Sequence, residues 1–251
     1  MKRRSLGIDI GGTGIKAAMV DTRKGELTSD RIRVETPEGG EPEEIAQACL
    51  ELVSTLDPNS KRSVGICFPA VVKHGFTQSA ANVSQRWIGF DADKLFSKTL
   101  GRQVHVINDA DAAGVAEVNF GAGKDTNGLV IMTTLGTGIG TALFYNGKLI
   151  PNAELGHIQI DGVDYESKAS FAAMERENLN FAQWAERLQK YYSTLEALLV
   201  PDLFIVGGGI SKSHSKFLPL LDLKTKIVPA ETKNSAGIIG AAVLANRTFE
   251  R

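Results

Sequence analysis

Two short glycine-threonine loops, far apart in a chain of 251 residues, carry the groups best suited to hold phosphate. They are Asp9-Ile10-Gly11-Gly12-Thr13-Gly14-Ile15-Lys16 and Leu135-Gly136-Thr137-Gly138-Ile139-Gly140-Thr141. Each follows an apolar run and leads into another. Thr13-Gly14-Ile15 aligns with Thr137-Gly138-Ile139 and Ala18 with Ala142; further on, Gly25 and Leu27 align with Gly147 and Leu149. A unit of strand, glycine turn, strand, hairpin and strand is thus expected twice. Bare backbone beside a Thr hydroxyl gathers N–H donors around a concave spot, which holds phosphate oxygens without a helix terminus. A pair of ordinary glycine hairpins has the same composition, but the matched flanks favour a repeated phosphate site.

Other residues supply the remaining chemistry. Asp9 ends the first strand beside a phosphate cradle, where a carboxylate is electrostatically wrong unless a cation intervenes, so Mg²⁺ is implied. The alternative for Asp9 is a hydrogen-bonding turn residue. Lys16 either neutralises phosphate or is an exposed strand charge. Asn108-Asp109 ends a strand where a helix begins, the position that faces the crevice of α/β sheets. Asp109 there suits a general base for a hydroxyl attacking phosphorus, and Asn108 suits a neighbouring hydroxyl. The alternative is an N-cap, a role Asp111 can equally fill. Glu154 and His157, turned by Gly156, offer acceptors and a donor to vicinal hydroxyls, although a lone His is usually structural. Gly207-Gly208-Gly209 after a strand lets backbone approach a nucleotide, but no clear G-x-G-x-x-G or P-loop pattern is present.

The elements that must position these groups follow from pattern. Leu6–Ile10, Ile15–Val20, Arg31–Val34, Val64–Phe68, Val104–Ile107 and Leu203–Val206 read as strands. Helices are expected from Glu41-Pro42-Glu43-Glu44 to about Leu56, over Asp91–Leu100, Asp111–Phe120 and Ala236–Ala245, and after Asn180. The last carries an apolar stripe of Phe181, Trp184, Leu188, Tyr191, Leu195 and Leu198 at spacings of three and four. This order fits two α/β lobes with a cleft between them, with a seam near Asn108–Asp111. Residues 1–108 form the smaller lobe, joined by a C-terminal helix over 235–251, and residues 109–234 the larger.

Bulk properties exclude several classes. A net charge of −1 and 23% charged residues give no global field for nucleic acid or an anionic membrane. No apolar run approaches the ~20 residues of a membrane span, and the basic start Met1-Lys2-Arg3-Arg4 is not followed by a signal-peptide core. Cys49 and Cys67 make neither a disulfide framework nor a zinc cluster and read as small buried hydrophobes; His74, His105 and His214 lie in separate segments. A cytoplasmic protein is expected.

Together the segments Asp9 to Lys16, Asn108-Asp109-Ala110, Leu135 to Gly140, Glu154 to His157 and Val206 to Ser211 resemble the sugar-kinase branch of the ROK family. That family belongs to the actin-like, Hsp70-like ATPase superfamily, whose ribonuclease H-like fold duplicates a strand-rich α/β lobe about a central cleft. Three further segments are similar to the family's polyphosphate-using glucokinases of actinobacteria: Ser79-Ala80-Ala81-Asn82-Val83 with Trp87-Ile88-Gly89, Asn108 to Gly114, and Leu149 to Glu154. The family's zinc-binding cysteine cluster is missing, as it is in that branch, and so is an N-terminal helix-turn-helix.

The resemblance implies Asp109 as the catalytic base and Asn82, Asn108, Glu154 and His157 as sugar ligands. Glu166 falls where a further sugar-binding Glu is expected. Gly11, Gly12, Thr13 and Gly14 match the first phosphate loop, and Gly136, Thr137, Gly138 and Gly140 the second. Where an acid-Lys pair is expected before Ser-Trp, this chain has Ser84-Gln85-Arg86-Trp87, so Arg86 must replace that lysine if polyphosphate is contacted there. With Lys16 and Lys73 it forms a candidate polyphosphate track. The implied function is phosphoryl transfer to the 6-hydroxyl of glucose from polyphosphate, ATP or both, with Mg²⁺, in a homodimer. Alternatives are a kinase of mannose, fructose or an N-acetyl amino sugar, a non-catalytic sugar sensor, and an actin-like filament or chaperone core.

Overall fold

A computed structural model describes residues 4–80 and 82–249. Lys2, Arg3, Ala81 of the Ser79–Val83 motif and the last two residues of the expected 235–251 helix lie outside the described residues. The chain forms two compact units, Met1–Ala116 with Asn234–Arg251, and Glu117–Lys233.

In the first unit, β1 (Arg4–Gly11) and β2 (Gly14–Asp21) form a hairpin, extended by β3 (Glu26–Leu27) and β4 (Ile32–Val34), which both pair with β2. β5 (Val64–Phe68) and β9 (Val104–Asn108) add in parallel, giving the order β3-β2-β1-β5-β9. All five residues of β5 are buried, as a parallel strand covered on both faces requires. Helix α1 (Pro42–Leu56) opens with Pro42, Glu43 and Glu44 at its positive end and turns Ile45, Cys49 and Leu52 inward. The two-residue strands β6 (Val72–Lys73), β7 (Phe76–Thr77) and β8 (Phe90–Asp91) form a small sheet that the pattern did not reveal. Helix α2 (Ala92–Leu100), capped by Asp91, leads back to β9.

Helix α3 (Asp109–Phe120) starts two residues before the expected Asp111, because Asn108 is its cap: Asn108 Oδ1 accepts the Asp111 N–H at 3.1 Å. The division between units therefore falls inside this helix. The final helix, α7 (Ala236–Phe249), lies directly on the first sheet. A Cβ on Gly7 would come within 2.0 Å of the Ile238 carbonyl oxygen, and one on Gly65 within 1.9 Å of that of Ala241. Only glycine permits backbone to meet backbone so closely.

The second unit repeats the first. β10 (Leu129–Leu135), β11 (Ile139–Tyr145) and β12 (Lys148–Ile150) run antiparallel, and β15 (Leu203–Gly207) and β16 (Lys226–Pro229) join in parallel, giving β12-β11-β10-β15-β16. Between β12 and β15 lie the hairpin β13 (Gln159–Ile160) and β14 (Val163–Asp164), then α4 (Glu166–Ala169), α5 (Phe171–Arg176) and α6 (Phe181–Leu199). A capping box between Asn180 and Gln183 starts α6, and its Trp184, Leu188, Tyr191 and Leu195 are fully buried. Leu198 is 65% exposed, so the stripe stops a turn early where the helix end projects into solvent. Among the described residues no helix is long and apolar enough to cross a membrane.

Candidate active site

Register in the first sheet builds a row of functional side chains. Asp9 pairs with Cys67 on one side and Lys16 on the other, and Lys16 pairs with Arg33, so Cys67, Asp9, Lys16 and Arg33 share one face across four strands. The Cys67 thiol donates to Asp9 Oδ1 at 3.1 Å, and Lys16 Nζ lies 3.8 Å from Asp9 Oδ2. Burial, with the carboxylates of Asp9 and Asp109 adding to it, pushes the Cys67 thiol well above its ordinary range and keeps its proton in place. The expectation of a plain buried hydrophobe for Cys67 therefore misses that it orients Asp9.

The first glycine loop is the tip of the β1–β2 hairpin, Gly11 opposite Gly14, with Gly12 and Thr13 exposed. Arg33 Nη2 donates to the Thr13 carbonyl at 2.7 Å and the Thr36 hydroxyl to that of Gly11. The Arg33 guanidinium lies where a Cβ on Gly14 would stand, 2.4 Å from its Nε. No glycine of either loop has φ in the left-handed region, so these positions need glycine for bare space and not for unusual backbone. Asn82, with φ of 60°, rests its Cβ against Gly12.

At the end of β9, Asp109 is exposed, and its Oδ1 accepts the Ala110 N–H at 2.8 Å. Asn108 is buried, with its amide donating to the Ala70 carbonyl at 3.1 Å while its oxygen caps α3. The cap left open between Asp109 and Asp111 in the sequence thus falls to Asn108, and Asp109 keeps its exposed position at the helix start.

Arg86 is not a free cation. Its guanidinium forks onto Glu41 at 2.8 Å and Glu43 at 2.9 Å, which raise its already high pKa. A groove of about 840 Å³ in the same unit is lined by Glu35, Glu38, Glu41, Glu44 and Glu51, a poor path for a polyanion. Lys73 stands exposed on β6. Of the three track residues, Lys16 alone is in the row beneath the loop; Arg33 joins it there.

In the second unit the loop Gly136-Thr137-Gly138 joins β10 to β11, with the Gly136 N–H donating to the Gly138 carbonyl at 3.0 Å. Glu166 lies against it: its Oε2 accepts the Ile139 N–H at 2.7 Å and would be 2.4 Å from a Cβ on Gly138. Glu166 is therefore a brace of the second loop as well as a neighbour of Glu154 and His157. Gly140 lies in β11, paired with Thr134. Gly208, at φ 83°, folds back on Leu135, so Gly207–Gly209 runs beside the second loop, with open space at Gly209.

Glu154 and His157 flank a single turn whose Gly156 packs on the Ile139 carbonyl. Partial burial raises the Glu154 carboxyl, opposed by His157 and reinforced by Glu166. His157 Nδ1 lies 2.9 Å from Asp164 Oδ2, and this partner holds the imidazole above its usual range. Asp164 was not anticipated, although Asp161-Gly162 between apolar residues is a hairpin signal that could have found it. Among the described residues, no group of three or more His, Cys, Asp or Glu is arranged to hold a metal ion.

Residues 5–175 match the ROK family, and the chain belongs to that family. It is 43% identical to a polyphosphate glucokinase of Mycobacterium tuberculosis over 96% of this chain and 91% of that protein. The crystal structure of an inorganic polyphosphate/ATP-glucomannokinase from Arthrobacter sp. strain KM superposes with a TM-score of 0.92 at 49% identity, covering 99% of this chain and all of that one. A ROK family glucokinase from Streptomyces griseus, solved with glucose and AMPPNP, gives 0.81 at 26% identity over 97% of this chain and 99% of that one. The repeated sheets are those of the actin-like ATPase fold of these sugar kinases.

Proposed function

We propose that this chain phosphorylates glucose at its 6-hydroxyl, with inorganic polyphosphate or ATP as donor. The observation that carries the reading is the 43% identity with a polyphosphate glucokinase over nearly the whole chain, with Asp109 kept exposed at a strand end. Asp109 takes the proton as the sugar oxygen attacks the terminal phosphorus; a P–O bond to the sugar forms and the bond to the shortened donor breaks. Glu154, His157 and Asn82 hold sugar hydroxyls. Asn108 contributes through its remaining amide hydrogen and lone pair, since its other polar positions are engaged.

The glycine loops hold donor oxygens, and Gly207–Gly209 leaves room for a nucleotide base. Asp9 suits magnesium that keeps several waters and leans on donor phosphates, because it is a single carboxylate with no second acid beside it in the row. The ion would neutralise charge on the transferred group. Positioning and charge stabilisation supply most of the rate in such reactions. Residues 1–108 with the final helix, and residues 109–234, act as the two lobes of the kinase, working as a cytoplasmic homodimer.

Initial rates with ATP and with polyphosphate at fixed glucose test the reading; absence of glucose 6-phosphate with both donors would overturn it. The glucomannokinase likeness supports a second acceptor, mannose. Turnover on a panel of mannose, fructose and N-acetyl amino sugars separates the two readings.

A further inference from the structure

Asp164 stands where three parts of the second unit meet. Asp161 and Gly162, at φ of 53° and 76°, form a two-residue hairpin turn that pairs Gln159 with Asp164 and so returns Asp164 toward His157. One carboxylate oxygen takes the His157 Nδ1 contact at 2.9 Å; the other accepts the Glu166 N–H at 3.2 Å. Glu166 in turn accepts the Ile139 N–H at 2.7 Å, and the Ala172 N–H donates to the Gly136 carbonyl at 3.1 Å. Both ends of the second glycine loop are thus held by the 164–172 segment. On its other side, Gly156 sets the Glu154–His157 turn against the Ile139 carbonyl. The chain of contacts runs from His157 through Asp164 and Glu166 to the loop without a gap.

A carboxylate only accepts, so the proton in the His157–Asp164 contact belongs to Nδ1, which leaves Nε2 for a ligand hydroxyl. We propose that Asp164 is a positioning residue that fixes His157 with Nε2 outward and, through Glu166, sets the second glycine loop in register with the sugar contacts. The proposal rests on the reading of the chain as a sugar kinase. It explains why Glu166, which the family resemblance places at the sugar, spends an oxygen on loop backbone: acceptor and donor groups share one support.

The test uses Asp164→Asn and Asp164→Ala, with Asp161→Asn as control on the same hairpin. Asn keeps the size but offers one acceptor oxygen for two donors, so one contact must fail. Asn-Gly also favours this turn, and the control removes only the exposed pairing of Asp161 with Lys190. The expected result for Asp164→Asn is a glucose KM raised about tenfold, the scale of one lost charge-assisted hydrogen bond, with kcat changed far less. By NMR, the His157 titration midpoint should fall, since the hydrogen bond to the Asp164 carboxylate is the chief cause that raises it, and the Ile139 amide should exchange faster. Unchanged glucose KM with an unmoved His157 midpoint would overturn the proposal. A wild-type protein inactive toward glucose would overturn the kinase reading instead, and the His157 titration and Ile139 exchange would then decide the positioning role alone.

Discussion

In the first sheet, the row beneath the glycine loop reads Cys67, Asp9, Lys16, Arg33: a thiol, a carboxylate and two cations. The alignment that sets Thr13 on Thr137 sets Asp9 on Thr133, and the row there reads Val206, Thr133, Thr141. Both threonines are buried and spent on structure, Thr133 bonding the Tyr192 hydroxyl and Thr141 the Ala153 carbonyl. The braces differ in sign as well. Arg33 supports the first loop by the Thr13 carbonyl, which leaves cationic charge beside it; Glu166 supports the second by an N–H, which brings an acid there. Strand order was duplicated, but charge was not. On the proposed reading both loops meet donor oxygens, with the proton acceptor in the first copy and the sugar hydroxyls held by the second.

The sharpest way to break this asymmetry is Asp109→Asn. β9 ends at Asn108 with the carboxylate of Asp109 following, whereas β16 ends at Pro229 and is followed by Ala230. The amide keeps the shape but takes no proton, so turnover should fall about 10²–10⁴-fold with glucose affinity retained. Near-wild-type turnover in a variant shown by calorimetry to bind glucose would remove Asp109 from the reaction.

Next in size is Glu166→Ala. It strands the Ile139 N–H, at a cost of about 1–3 kcal/mol, and should weaken both glucose and donor. Glu166→Gln, which still offers an oxygen, should lose less. If the alanine variant kept both KM values, the second loop would need no brace and the contrast between loops would shrink to one of charge.

Arg33→Ala probes the first loop. The side chain is exposed, so the loss should be at most about 1 kcal/mol, larger for polyphosphate than for ATP, and erased by salt because such pairing is screened over about 8–10 Å. Equal losses with both donors at every salt concentration would make Arg33 a structural prop.

The smallest effect is expected at Gly136→Ala, where an added Cβ meets nothing within 4 Å. Stability should move by no more than about 0.5 kcal/mol. Gly14→Ala, with Arg33 in the way, should be worse; the reverse order, in paired thermal melts, would contradict the bracing.

The duplication was legible because it is carried by local pattern. Apolar runs gave six strands to within two residues at each end, and the acids around Pro42 and the cap Asn180 announced their helices. What escaped depends on register or on short elements. Nothing near Cys67 in sequence says that it faces Asp9; only the parallel pairing of β1 with β5 does. Arg33 becomes a loop residue through its pairing with Lys16, and Arg86 is paired with two glutamates some forty residues away in sequence. Strands of two residues and the Pro-ended β16 carry too little period to read. The helix after β9 was placed late because Asp109 and Asp111 could each serve as its cap, whereas in the structure Asn108 does.

The bare glycines beneath α7 have a consequence for synthesis. The sheet built from β1, β5 and β9 receives its covering helix from the far end of the chain, after the whole second unit has been made. A nascent chain stalled before Ala236 leaves that face of apolar strands open to water and to other chains. The second unit, continuous in sequence, can close first. Loss of the last helix by truncation or proteolysis should therefore cost the first unit its fold before it touches the second.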